Sequence, residues 1–424
     1  MGRRRAVRAE RAEKRRGCRG VARLRAAAFT FAICLMLAGP SVLLAAEKLD
    51  VSLPGWLTSE DAAYLSGGVQ KTDFSKVTGV RSFLKSIHQN AEKEIGNYIP
   101  MKATALLANA AWQRGAIALS NGLWGWDCYP TSFGADHLYI PAQKAVCKWP
   151  RTTDPASDEG LAAFADGMNG ACQRYEGVRF ISYLVARSEA AAPNPARAYL
   201  GATYTAADSA AFLDGALDDG VGEVLHSEVE DLDTYYEQFF RSDHHWRALG
   251  AVSAYNQIAD VLGKDPLPME VVPVEGPLYS GAYARNSLCL VTDDPSELAY
   301  DFAGVELFKG DAAENGNEHA LYASADAQNK HWRFYDLFYN SFMTVKGTGE
   351  GRALLVCDSF GFALLRPLAT GFAELTCVNS LQATANTDQS LEELLRESGA
   401  GTVLFVGDPG NFSTFRERNP QFFE

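Results

Sequence analysis

Three short apolar runs near the end of the chain constrain its fold most. They are Arg352-Ala-Leu-Leu-Val-Cys357, Leu375–Asn379 and Thr402–Val406, and segments with helical spacing at Phe362–Phe372 and Leu391–Ser398 separate them. A run this short and this continuously apolar reads as a strand buried on both faces, and strands that alternate with helices build a parallel sheet. The same alternation occurs earlier in the chain. A helix at Asp158–Arg174 precedes a strand at Val178–Val185, and a helix at Ala206–Leu217 precedes a strand at Val221–Leu225. The expected class is α/β, with helices on both faces of the sheet.

Open sheets of this kind place their sites outside the carboxyl ends of the strands. Ser359 stands at such an end, in Asp358-Ser359-Phe360-Gly361 between the apolar run and the helix. A serine hydroxyl is a weak nucleophile until a base takes its proton, and the base must in turn be held. The chain has only seven histidines, and Arg241-Ser242-Asp243-His244-His245-Trp246 supplies two of them beside a carboxylate. The helix-spaced residues Ala248 to Leu262, ended by Gly263, follow at once. Either imidazole can serve as base at this stage. A buried polar cluster that pins the helix start is a plainer reading, and a metal site formed by Asp243, His244 and His245 is a third. The Ser359 N–H is the first candidate to stabilise an oxyanion, and Asn411 and, more weakly, Asn379 are candidates for a second donor. Arg241, His244 and Asn411 are the expected substrate contacts.

Two stretches carry a family resemblance. FFRSDHHWRALGAVSAYNQIADVLG and LLVCDSFGFALLRPLATGFAELTCVN resemble the DHHW-motif proteins, which are similar to periplasmic alginate O-acetyltransferase proteins and to SGNH hydrolases. The likeness runs from about Ile95 to Phe412 and includes NYIPMKATALLANAAWQR, GWDCYPTSFG and TVLFVGDPGNF. It implies a three-layer SGNH-hydrolase-like (flavodoxin-like) sheet with an N-terminal helical and loop-rich extension. It also implies a triad, which falls here on Ser359, His245 and Asp243, with no metal and no cofactor. One position departs from the pattern: Cys357 stands where Gly or Lys usually introduces the nucleophile block.

Charge divides the chain. The first twenty-five residues hold eleven Lys and Arg against Glu10 and Glu13, within a total of −13, so the remainder is strongly acidic and an unlikely match for nucleic acid. The apolar stretch 26–46 that follows is long enough to cross a bilayer as an anchor. A cleaved signal peptide and a buried cytosolic helix are its alternatives. Residues 47–75 read as a linker, and 76–424 as the α/β domain, entered through helices at Arg81–Tyr98 and from Pro100 to about Ala118. An aromatic-rich loop at 120–150 contains Trp124, Trp126, Tyr129, Tyr139 and Trp149. It is either a sugar-stacking surface or a packed loop with no ligand. Six cysteines follow the apolar stretch, and Cys128 with Cys147 is the first candidate bridge in an oxidising compartment, while Cys357 and Cys377 fit buried thiols equally well.

The function expected is an extracytoplasmic serine O-acyltransferase or O-acylesterase, membrane-anchored or secreted, acting on acetyl groups of a cell-surface or secreted polysaccharide. The resemblance implies transfer, often with a membrane-bound O-acyltransferase supplying the acyl group. A non-catalytic polysaccharide-binding or assembly protein on the same fold is the alternative.

Overall fold

A computed structural model of the protein describes residues 102–227, 229, 231–270, 272–273, 280–290, 294, 297–298, 306–309, 312–313, 342–381 and 387–424, with positions 27, 30 and 46. Those three positions apart, the expected anchor (26–46), linker (47–75) and helix at Arg81–Tyr98 lie outside the described residues. No described helix is long and apolar enough to cross a membrane. Chain contacts separate residues up to Asn109 from Ala110–Glu424, and the second unit holds the sheets and the site described below.

The central sheet has eight strands: β1 (Arg179–Leu184), β2 (Glu223–His226), β3 (Glu306–Lys309), β4 (Ala312–Ala313), β5 (Phe342–Lys346), β6 (Arg352–Cys357), β7 (Glu374–Val378) and β8 (Thr402–Gly407). Their spatial order is β2-β1-β8-β6-β7-β5-β3-β4. The first five are mutually parallel, and β5, β3 and β4 extend that core as antiparallel neighbours.

Side chains of successive strand residues point to opposite faces, and here both faces are dry. Ala353, Leu355 and Cys357 of β6 pack with Leu404 and Val406 of β8 in one core; Leu354 and Val356 pack with Val403 and Phe405 in the other. This is why the strand runs are continuously apolar. Each fully buried Leu or Phe contributes about 1.5–3 kcal/mol. On the second face lie α1 (Glu159–Arg174), capped by Asp158, and α2 (Ala206–Ala216), which opens with a Thr205/Asp208 capping box. On the first face lie α3 (Leu232–Gln238) and α4 (Ala248–Leu262), which ends at Gly263 with φ +65°. The layering matches the three-layer expectation, and the five parallel strands overlap the expected ones, with β2 at Glu223–His226 where Val221–Leu225 is expected.

The segment expected as an aromatic loop is more ordered than its composition implies. The helix entering it spans Lys102–Trp124, beyond the expected end near Ala118, and then Tyr129–Pro130, His137–Ile140 and Ala145–Lys148 form a three-stranded antiparallel sheet. Tyr129 and Tyr139 face each other across it, ring centroids 5.7 Å apart and edge-on, and Leu138, Ile140 and Cys147 are fully buried beneath. Cys128 and Cys147 share that small core as free thiols, so the expected bridge is not formed. Cys357 and Cys377 are also free, with their sulfurs 3.6 Å apart between β6 and β7.

Candidate active site

Ser359 is the first residue of α6 (Ser359–Gly371), directly after β6. Its position is set by Asp358, the N-cap, whose Oδ1 accepts the Phe360 N–H at 2.9 Å. The other carboxylate oxygen accepts the Asp408 N–H at 2.9 Å and the Asn411 side-chain amide at 2.7 Å. Burial pushes the Asp358 carboxyl up from its ordinary value, and those three donors pull against it. Gly407 permits the approach: a Cβ there would stand 2.7 Å from Asp358 Oδ2. Asn411, expected at the substrate, thus spends an amide hydrogen on the turn that carries the serine. The Ser359 N–H, as the first of the helix, has no acceptor within it.

The hexapeptide motif is a closed loop. Phe239 and Trp246 pair as an isolated antiparallel bridge, and the Phe240 N–H donates to the His245 carbonyl at 3.1 Å. Trp246 is buried against Tyr183, Phe239 and the edge of Phe360, which joins the Arg241–Trp246 loop to the Ser359 turn. Asp294 pins the loop from below. Its carboxylate accepts the backbone N–H of Arg241 at 2.9 Å and of Ser242 at 2.8 Å, and also the Ser242 hydroxyl. Arg241 donates from Nε to the Gln143 carbonyl at 3.0 Å and lies over the Tyr236 ring. These contacts tie the loop to its surroundings through a residue expected among the substrate contacts.

Asp243 is almost wholly buried and orients the His245 imidazole. Its Oδ1 accepts His245 Nδ1–H at 2.9 Å and the His244 N–H at 2.7 Å, and its Oδ2 accepts the Ala282 N–H at 2.7 Å. Ala282 opens the short helix α5 (Ala282–Asn286). The residue before it must be glycine, since a Cβ on Gly281 would lie 2.3 Å from the Asp243 Cβ. Burial alone would raise the Asp243 carboxyl, but the adjoining imidazoles His244 and His245 hold it well below the usual carboxylate range. His245 Nε2 lies 2.8 Å from Ser359 Oγ. With Nδ1–H given to the carboxylate, Nε2 is the acceptor and the serine hydroxyl the donor. Ser359 and the Asp243/His245 pair, over a hundred residues apart in sequence, therefore form one hydrogen-bonded chain.

His244 lies beside His245 and shares Phe360 as a neighbour. Its ring packs on His245 at 3.9 Å and on Tyr283 at 5.2 Å, and its Nδ1 lies 2.8 Å from Asp243 Oδ1 but out of line for a hydrogen bond. The ligating atoms of Asp243, His244 and His245 lie within 4.8 Å of one another, the one such group among the described residues. A metal there would have to displace the Nδ1 proton through which His245 is oriented. Arg187, just past β1, was not legible as a site residue. Its guanidinium lies over the Phe360 ring, with Nε 3.1 Å from Asp408 Oδ2 and Nη1 3.9 Å from Glu189 Oε1. Its burial works against its charge, yet Asp408, Tyr283, Glu189 and Asp358 together hold it firmly ionised.

Burial, with the charges of His245 and Arg187, drives the His244 imidazole down from 6.5 to about 3, against the pull of Asp243. The unfolded chain binds this proton below about pH 6.5 and the folded chain does not, so stability is complete above that pH and declines as the pH falls towards 3. The slope approaches about 1.4 kcal/mol per pH unit. His244→Gln removes that group, so its urea midpoint should fall less than that of the parent between pH 6.5 and 4.5. Parallel declines for the two proteins would contradict the assignment.

No family model and no curated relative matches the chain. Among solved structures it is similar to Bacillus cereus PatB1, determined with a sulfonyl adduct, at 17% identity and a TM-score of 0.50, over 66% of this chain and 97% of that one. A DHHW family protein from Eubacterium siraeum DSM 15702 matches at 15% identity and a TM-score of 0.48, over 67% and 94% of the two chains. The O-acetyltransferase domain of Pseudomonas putida AlgJ matches at 13% and 0.33, over 66% and 90%. The likeness to PatB1 is one of fold, and the chain is an α/β protein of that SGNH-like architecture, with a hydrogen-bonded serine, histidine and aspartate at the carboxyl end of its parallel strands.

Proposed function

We propose that the protein is an extracytoplasmic SGNH-type serine O-acyltransferase or O-acylesterase, acting on the acetyl groups of a cell-surface or secreted polysaccharide. The observation that carries this reading is the 2.8 Å contact between Ser359 Oγ and His245 Nε2, with Asp243 behind the imidazole. Ser359 Oγ attacks the acyl carbonyl carbon while His245 Nε2 takes its proton, and the Ser359 N–H at the helix start stabilises the oxyanion. The tetrahedral adduct collapses, His245 returns the proton to the departing alcohol oxygen, and acyl-Ser359 remains. A sugar hydroxyl or water then repeats the steps in reverse, and the acceptor decides between transfer and hydrolysis. The basic segment with the apolar stretch (1–46) delivers or anchors the chain outside the cytoplasm, the linker (47–75) spaces it, and the domain from residue 76 performs the chemistry, with a membrane-bound O-acyltransferase as donor.

PatB1 is known with a sulfonyl adduct, and the same chemistry tests this serine. Incubation with an aryl sulfonyl fluoride should displace fluoride and add one sulfonyl group per chain, found on the peptide containing Ser359 by mass spectrometry. Failure to label that peptide, with glycan binding intact, would instead support a binding protein that keeps the fold without its chemistry.

A further inference from the structure

A cavity of about 160 Å³, roughly the bulk of one pyranose ring, lies beside the nucleophile turn and plays no part in the mechanism above. Its walls include Trp149, Arg151, Arg187, Glu189, Thr205 and Asp408. Two of these residues connect it to the site. Asp408 donates its N–H to Asp358, the N-cap beneath Ser359, and Arg187 lies over the ring of Phe360, the residue after the serine. Trp149 is 41% exposed and free to offer an indole face at the rim.

Resting on the acyl-transfer reading, we infer that this cavity holds one ring of the acceptor glycan, and that the ring is a neutral, hydroxyl-bearing sugar. A pyranose presents apolar C–H faces and polar hydroxyl edges, which suits an aromatic platform joined to a few convergent polar groups. The polar groups are present. The Asp408 and Glu189 carboxylates accept hydroxyl protons, the Arg187 guanidinium donates, and Arg187 Nε has no aligned acceptor among the described residues. Ser209, also on the wall, is fully buried with its hydroxyl unpaired.

Charge selects the kind of sugar. Arg187 is balanced by Asp408 at 3.1 Å and by Glu189 at 3.9 Å, and Arg151 is held by Asp158 at 2.7 Å. A uronate ring would therefore bring its carboxylate in beside Asp408 and Glu189 with no spare cation to meet it, in a partly desolvated space where like charges repel strongly. The acidic balance of the whole chain acts in the same direction. A neutral ring meets no such cost. The cavity is thus a specificity-determining subsite, one sugar deep, that excludes acidic polymers.

Binding of cellopentaose, xylopentaose, chitopentaose and pentamannuronate to the full-length Ser359→Ala protein, followed by calorimetry, reads this without requiring turnover. At least one neutral pentasaccharide should bind about tenfold or more tightly than pentamannuronate. Adding Trp149→Ala should weaken the neutral ligand about tenfold, and Trp149→Phe should restore most of the loss. Hydrolysis of p-nitrophenyl acetate by the protein that retains Ser359 reads the serine chemistry separately from glycan binding. Equal or tighter uronate binding, no binding by any neutral probe, or no effect of Trp149→Ala would each overturn the subsite. Loss of esterase chemistry with neutral-sugar binding intact would instead remove the serine mechanism and leave the subsite standing.

Discussion

Ser359→Ala is expected to lower the turnover of an acetyl ester by about 10⁴-fold or more while leaving the protein folded. The loss is large because the acyl-serine route disappears altogether, and His245 and the Ser359 N–H are left with only water to activate, which corresponds to about 5 kcal/mol of lost transition-state stabilisation. The fold should tolerate the change for a structural reason. Ser359 is the first residue of its helix, but the cap is Asp358, whose bonds to Phe360, Asp408 and Asn411 do not involve the serine side chain. Among the described residues only the 2.8 Å bond to His245 Nε2 is lost, at a cost of about 1 kcal/mol. Steady-state hydrolysis of p-nitrophenyl acetate, beside a thermal melt, separates the two effects. Turnover by the alanine variant at the parent rate would reject Ser359 as nucleophile, whatever its geometry.

What the sequence made legible follows from how much each position is constrained by its neighbours along the chain. Strands buried on both faces require continuous apolar residues, so Arg352–Cys357 and Thr402–Gly407 announce themselves. Ser359 and the Asp243/His245 pair are legible because their residue types and spacing are tied to one chemistry, and the structure brings all three together. Interactions that run through backbone groups leave no such trace. Asp294 holds the base loop through two N–H groups from fifty-odd residues away, and Ala282 holds Asp243 through another. Any residue but proline supplies an N–H, so composition is silent there; Gly281 alone, forced by its approach to Asp243, carries a residue-type signal. Arg187 and Arg241 show the converse. One arginine lies over the Phe360 ring and the other braces a loop, and nothing adjacent in sequence tells them apart.

Asp243→Asn should reduce acyl turnover by about 10³ to 10⁴-fold and also weaken the fold, because no orientation of the new amide satisfies both sides of the site. The Asp243 carboxylate accepts His245 Nδ1–H and the His244 and His245 N–H groups at Oδ1, and the Ala282 N–H at Oδ2. An asparagine that keeps its oxygen towards His245 sets its NH₂ against the Ala282 N–H, donor against donor. That leaves a buried group unpaired at a cost of about 1–3 kcal/mol. Rotated the other way, the amide satisfies Ala282 but donates to His245 Nδ1. The imidazole must then carry its proton on Nε2 and present a donor where the serine hydroxyl needs an acceptor. The first arrangement loses the buried negative charge that stabilises the imidazolium formed during attack, and the second loses the base itself. Rates with p-nitrophenyl acetate and urea midpoints at pH 7 measure both consequences on one preparation. A variant within tenfold of the parent rate would mean that Asp243 serves only to hold the loop against α5.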